Sequence, residues 1–390
     1  MKNVYSLIVS FIVAVLCNCN DEKGQVDDNA FIVEMNFDEK MSIHEVDLID
    51  SLDIVRLDNH VMIGEVNKII DYNNRLYVLD AFITKSVMVY DRTGNFVKQI
   101  ADFGQGPAEY LQLTDIFIDA ENDVLGLVSR LDKKLMKYSL HDLNLISVEK
   151  MPKSFFYLTK AQNYYVGYMN NYIETSPFNL WTVSESLEIG THFFKIASSW
   201  SSKSFSSMYP FSVYEDKLYY IQPYDFNVYC VGENERRIPY KFDMGKNTWP
   251  VNVSEYDEVE RIKNDRPNQY VENLYMFQET QNHLIVRTVF KHQELLGVYD
   301  KKTKKSQVVK PEPYTDKYLI PFGEIIGMDE NAIYSLVPAA SVKKNIIGKE
   351  KYNDFESEYP QQTKNLREKF KNITIEEDDN PFLLIHYLRK

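Results

Sequence analysis

The fold is decided by DYNNRLYVL (residues 71–79), because the stretch recurs. Five further segments repeat its pattern: DAENDVLGL (119–127), KAQNYYVGY (160–168), VYEDKLYYI (213–221), ETQNHLIVR (279–287) and MDENAIYSL (328–336). Each has a polar corner ending in Asn or Asp, at Asn74, Asn122, Asn163, Asp216, Asn282 and Asn331. Two positions later an apolar side chain follows, at Leu76, Val124, Tyr165, Leu218, Leu284 and Ile333. Asn and Asp tolerate the left-handed backbone of tight hairpins, and the alternation after each corner is that of a half-buried strand. Six hairpins are therefore expected, each with its corner residue left-handed.

The corners at 74, 122, 163, 216, 282 and 331 lie 48, 41, 53, 66 and 49 positions apart. Such periods match the four-stranded blade of the propeller class. A second strand pair follows each of the first five hairpins, clearest in VMVYDRTGNFVKQI (87–100), where Thr93 and Gly94 form the turn. After Leu336 the chain instead enters a long polar stretch and returns in FLLIHYL (382–388), which leaves the sixth unit one strand short. The missing strand is expected from LDIVRLD (52–58), closing the ring between the two ends of the chain and leaving no long unpaired edge. The fold class is thus all-β: a six-bladed propeller with blades near 66–100, 113–150, 155–196, 208–242, 272–310 and 319–388, plus strand 52–58 and short helical inserts. An open solenoid or sandwich is disfavoured, because terminal repeats would need polar caps that the sequence lacks.

Composition agrees. Aromatic residues make up 14% of the chain, with 28 Tyr and 22 Phe against only 14 Gly, and aromatics suit pleated, half-buried surfaces. A net charge of −13, with 57 Asp and Glu against 44 Lys and Arg, offers no basic cluster for a phosphate backbone and argues against nucleic acid.

The N-terminal MKNVYSLIVSFIVAVLCNCN (1–20) has a positive charge at Lys2, an apolar run from Val4 to Leu16 and then two cysteines. The run is short for a bilayer span and fits the h-region of a secretory signal over residues 1–18. LCNC (16–19) resembles a bacterial lipobox, which implies acylation of Cys19; Asn18 departs from the usual small residue before the cut. Residues 19–40 are expected to form a flexible tether, since NDEKGQVDDNA (20–30) has nothing to bury. The acidic NDE after the cysteine loosely resembles the surface-export signal of Bacteroidetes lipoproteins. Cys230 is left as the only cysteine of the mature fold and is expected to be a buried strand residue.

With the blades placed, GQGPAEYLQLTDIFID (104–119), LYVLD (76–80) and the YDRTGNFV hairpin (90–97) resemble the hallmarks of the six-bladed β-propeller lipoproteins of Bacteroidetes, relatives of the NHL-type propellers. Ala108 departs from their usual Gly. The resemblance spans nearly the whole chain after the tether. It implies a fold and an envelope location, at the outer membrane on its cell-surface or periplasmic side, and leaves activity unassigned.

Chemistry has few candidates. ADFGQGPAEY (101–110) lacks the Lys-Ser/Thr of a phosphate loop, and Glu109 would repel an anion. The stretch reads as a backbone device, with Gly104 and Gly106 permitting positive φ and Pro107 fixing its own, while Glu109 and Tyr110 remain candidate ligand contacts. The insert VSEYDEVERIKNDRPNQY (253–270) reads as a short helix capped by Ser254. With Trp249, a third candidate ligand contact, just before it, this helix is either a packed decoration or a lid on the axial pocket. No HExxH, calcium loop or Gly-x-Ser-x-Gly elbow occurs, so no metal, no cofactor and no catalytic residue is assigned. The expectation is a module that binds a glycan, a peptide or an envelope protein and meets the membrane only through its lipid. The alternative is a propeller hydrolase or lyase with carboxylates converging on the axis.

Overall fold

The alternation after each corner builds one antiparallel sheet per repeat. The computed structural model describes residues 30–43, 46–174, 177–201, 203–205, 209–249, 256–311, 322–344 and 373–390. Blade 1 consists of Lys68–Tyr72, Arg75–Asp80, Ser86–Asp91 and Phe96–Ile100, and blade 2 of Leu113–Asp119, Val124–Ser129, Lys134–Ser139 and Leu145–Lys150. Blade 3 is Tyr157–Ala161, Tyr164–Tyr168, Phe178–Ser184 and Ile189–Lys195. Blades 4 and 5 begin with Phe211–Tyr214 and Leu274–Glu279 and end with Arg236–Asp243 and Lys305–Lys310. Blade 6 takes Glu324–Met328, Ala332–Val337 and Phe382–Leu388, and its fourth strand is Ile49–Arg56, paired antiparallel from Phe382↔Arg56 to Leu388↔Ile49. The ring therefore closes with an N-terminal strand. That strand begins three residues earlier than the expected 52–58 and ends at Arg56, where Leu57 is already buried.

The first strands of the blades surround the axis, and the second strands are the most deeply buried. Leu76, Val78, Leu125, Leu127, Val166 and Tyr168 have no exposed surface or almost none, because both faces of each blade pack on neighbouring blades. This is why second strands read as continuous apolar runs rather than strict alternation. Here the upper face is the one where the inner strands begin. The six corners then ring the lower mouth of the axis, and the crossings between blades arrive on the upper face.

Three local expectations change. The corner residue itself is left-handed only at Asn74 (φ 59°) and Asp216 (φ 61°); in blades 2 and 3 the neighbours Asp123 (φ 55°) and Gln162 (φ 48°) take that role, and blades 5 and 6 turn without it. There the polar residue acts through its side chain or hydroxyl: Asp329 Oδ1 accepts the N–H groups of Asn331 and Ala332, and Thr280 Oγ1 accepts that of His283. The segment expected as tether up to residue 40 pairs from Phe31 onward. Phe31–Glu34 lies parallel to Tyr240–Asp243 on the rim of blade 4, and Lys40–Ser42 lies parallel to Val308–Lys310 on blade 5. Val33, Met35 and Phe37 of this strap are buried against the blades, and full burial of such side chains contributes about 1.5–3 kcal/mol each, which offsets the cost of ordering it. Finally, Cys230 is free and in a strand, as expected, but only half-buried.

The helix spans Tyr256–Asp265 and buries Val259 and Ile262; its expected cap Ser254 lies outside the described residues, as do Cys19 and the signal. Its Tyr256 packs edge-on against Trp200, whose ring in turn meets Tyr224 at a tilt.

Candidate functional site

A channel of about 320 Å³ runs along the axis, walled mainly by apolar side chains such as Ile69, Phe211, Met276 and Ile326. Towards its upper end Lys68 Nζ donates to Asp115 Oδ1 at 2.6 Å, a pair in which Asp115 has 1% of its side chain exposed. Asp115 Oδ1 also accepts the N–H of Ile116, and its Oδ2 accepts that of Leu158 at 3.0 Å, so one carboxylate ties the inner strands of blades 1, 2 and 3. Burial pushes the Asp115 carboxyl above the ordinary carboxylate value, with Lys68 pulling the other way. Sequence reading missed this residue. Its signal was available: a lone Asp inside the apolar run LTDIFI demands a buried partner.

At the lower end the channel opens into a cavity of about 690 Å³ between blades 6 and 1, with which it shares Asp71, Asp329 and Tyr334. The corners Asn73, Asn74 and Asn331 form part of the cavity rim. Asn331 and the C-terminal Arg389 and Lys390 also border an adjoining cavity of about 360 Å³ towards blade 4. Three carboxylates of this face are already bonded. Asp71 pairs with Arg92 at 2.9 Å, and Arg92 also donates to the Tyr387 hydroxyl at 2.6 Å. Asp329 accepts the Tyr334 hydroxyl at 2.5 Å besides its two turn N–H groups. At the end of the blade 5 inner strand Glu279 accepts from the Tyr219 and Tyr240 hydroxyls and from Lys301. Burial raises the Asp71 carboxyl, Arg92 opposes the rise and nearby Asp329 adds to it. Two carboxylates do converge at this mouth, each with a hydrogen-bond partner in place.

The profile of a family described as a domain of unknown function, DUF4934, matches residues 30–387. The chain belongs to this family. Among solved structures, a Bacteroides fragilis protein described as exported is similar over 92% of this chain and 100% of its own, at 18% identity and a TM-score of 0.70. A member of the DUF4221 family from Bacteroides vulgatus is similar over 87% of this chain and 97% of its own, at 10% identity and a TM-score of 0.50. Both likenesses concern the fold. No curated protein matches the chain. Among the described residues no helix is long and apolar enough to cross a membrane.

The family's fold places the sequence candidates away from the axis. Glu109 turns into its own loop, where Oε2 accepts the Gly106 N–H at 2.7 Å. Tyr110 has no exposed surface, and its hydroxyl donates to the Lys85 carbonyl at 2.7 Å. Gly104 and Gly106 differ from expectation, since neither has a left-handed φ. They leave room for the Glu109 carboxylate: a Cβ on Gly104 would stand 1.9 Å from Glu109 Oε2, and one on Gly106 3.0 Å from the same atom. Pro107 stands exposed in this loop, whose Gly106 and Glu109 carbonyls accept from Lys134 Nζ. Trp249 is buried between Tyr224 and Tyr270, its Nε1 donating to the Glu272 carbonyl. Neither it nor the helix lines the axial channel. His386 is buried against Phe322 within hydrogen-bond distance of Ser335, and burial lowers its pKa to about 3.

Proposed function

We propose that this protein is a lipid-anchored propeller of the outer membrane, of the NHL-like kind, that binds a hydroxyl-rich ligand, a glycan in the first instance, at its lower mouth and performs no chemistry on it. The observation that carries this reading is the committed state of the carboxylates there: Asp71, Asp329 and Glu279 each hold cationic, hydroxyl or N–H partners. Such groups present fixed donors and acceptors, and the tyrosines Tyr72, Tyr334 and Tyr387 add flat rings with a polar tip. Charges of the cavity compensate one another through Arg92 with Asp71 and Arg389 with Asp50, which suits a neutral ligand better than an ionic one. The signal at 1–18 and Cys19 supply the anchor; replacing Cys19 by Ala is expected to abolish incorporation of a labelled fatty acid, and retained label means another residue is acylated.

Binding is tested with an array of glycans and a peptide library. Arg92→Ala and Asn331→Ala, checked for an unchanged melting profile, are expected to weaken glycan binding about tenfold or more, the cost of losing hydrogen bonds to a charged or well-placed polar group. Binding confined to peptides, or unaffected by both variants, removes the glycan reading. The hydrolase or lyase reading keeps one observation in its favour, the raised Asp71 carboxyl beside Asp329, a pattern seen in acid and base pairs. Accumulating product that disappears in Asp71→Asn would establish it in place of simple binding.

A further inference from the structure

The upper face carries a different chemistry from the mouth. Met62, Phe82, Ile83, Phe103 and Leu131 stand 47%, 53%, 64%, 51% and 60% exposed. They come from four separate connections of blades 1 and 2: the crossing after the closing strand, the turns 81–85 and 130–133, and the crossing 101–112. Single exposed apolar residues need no explanation, but these four connections are locked into one surface. Buried Asp80 accepts the N–H groups of Gly64 and Glu65 with one oxygen and that of Ile83 with the other, and the Ile83 side chain covers Gly64. Lys85 lies 4.4 Å over the Phe103 ring, and its carbonyl takes the Tyr110 hydroxyl. Lys134 reaches back from the turn that carries Leu131 to the Gly106 and Glu109 carbonyls. The carboxylates of these connections hold local partners: Asp58 accepts from the His60 N–H, Glu65 from Asn67, Asp102 from Tyr138, Glu109 from Gly106 and Asp132 from Ser129.

We infer that this apolar face of blades 1 and 2 rests in the interfacial layer of the bilayer that holds the anchor, so that the lower mouth faces away from the membrane. The inference rests on the anchored reading above and adds an orientation to it. The chain outside the described residues supports the choice of occupant. From Cys19 to Ala30 it has eleven residues, a reach of about 36–40 Å, whereas the longest strands in the blades, eight residues, span about 27 Å. The tether lets either face meet the bilayer, and the apolar loop tips favour the upper one. A lipid surface takes up such side chains together with lysines such as Lys85, and a bilayer already held within tether reach makes even weak partition effective.

The test uses vesicles of phosphatidylethanolamine and phosphatidylglycerol. The acylated chain, reconstituted in them, is followed by hydrogen–deuterium exchange: slowed exchange is expected at 81–85, 101–106 and 130–133, with the corners 73–74 and 329–331 unchanged. The chain from Asn20 onward, which keeps every strand and lacks the anchor, is expected to float with vesicles at high lipid. The fourfold variant Phe82→Ser, Ile83→Ser, Phe103→Ser, Leu131→Ser should weaken that flotation about tenfold or more. Acylated chain that binds vesicles while the upper connections exchange as in solution overturns the inference and leaves the anchor standing. Flotation of the anchorless chain that the serines abolish supports the inference even if Cys19 is not the acylated residue. Protection of the same connections without vesicles, rising with protein concentration, assigns the patch to a second copy and overturns it.

Discussion

Turns within a blade and crossings between blades solve different problems. A corner such as Asn73–Asn74 joins two adjacent strands, and its geometry follows from a few residues: two left-handed positions and a following apolar strand. A crossing such as 101–112 must carry the chain from the rim of one blade to the axis of the next, and it is held by groups far away in sequence. Tyr138, Lys134 and Lys85 all bond to it. The first kind repeats and builds the polar lower mouth. The second kind is different each time and, together with the second-to-third strand turns such as 81–85 and 130–133, builds the upper face.

The comparison breaks hardest at Asp115, where three inner strands share one buried carboxylate. Asp115→Ala leaves Lys68 without its partner and two backbone N–H groups without an acceptor. Removing one member of a buried pair costs about 3–5 kcal/mol, and the partial exposure of Lys68 places this case at the lower end. Urea unfolding should show a loss of about 3 kcal/mol; a loss below about 1 kcal/mol means that solvent already compensates the charge and that the three strands do not depend on the clamp.

A within-blade turn should be cheaper to damage, unless it also meets a neighbour. Gly94 tests this, with φ +92° in the third-to-fourth strand turn of blade 1 and a Cβ that would stand 2.0 Å from the Arg56 carbonyl of the closing strand. Its own carbonyl also accepts the Asp58 N–H. Gly94→Ala should cost about 1–3 kcal/mol, the range for a left-handed non-glycine position. If the turn were purely local, combining it with Leu383→Ala in the adjoining blade 6 strand would be additive; a coupling above about 0.5 kcal/mol in a double-mutant cycle shows that ring closure passes through it.

The same division explains how much was legible. The corners, the blade count and the closing strand could be read because hairpin chemistry and strand periodicity are local. The strap Phe31–Ser42 was not, because its polar surroundings in sequence conceal Val33, Met35 and Phe37, which become core only when blades 4 and 5 lie beneath them. Asp71 and Asp329 were unreadable as a pair for a similar reason: more than half the chain separates them, and only the circular order of the blades brings them to one mouth. The roles of Gly104 and Gly106 were misplaced because a glycine that avoids a clash looks the same in sequence as one that adopts positive φ.

Glu109 gives the smallest and sharpest test of that distinction. Its carboxylate fills the space the two glycines leave and accepts one N–H, while Tyr110 beside it is tied to blade 1 through the Lys85 carbonyl. Glu109→Ala removes a charge-assisted bond from a surface loop but leaves the Tyr110 and Lys134 contacts in place, so a loss of about 1 kcal/mol is expected. Gly104→Ala instead puts a methyl group where the flexible carboxylate lies and makes it swing away, so its loss should be about that of Glu109→Ala. In the double variant the clash has no partner, so the two losses should be less than additive. Full additivity in urea unfolding would mean that Gly104 serves the backbone after all, and that the loop owes its glycines to conformation rather than to the side chain it encloses.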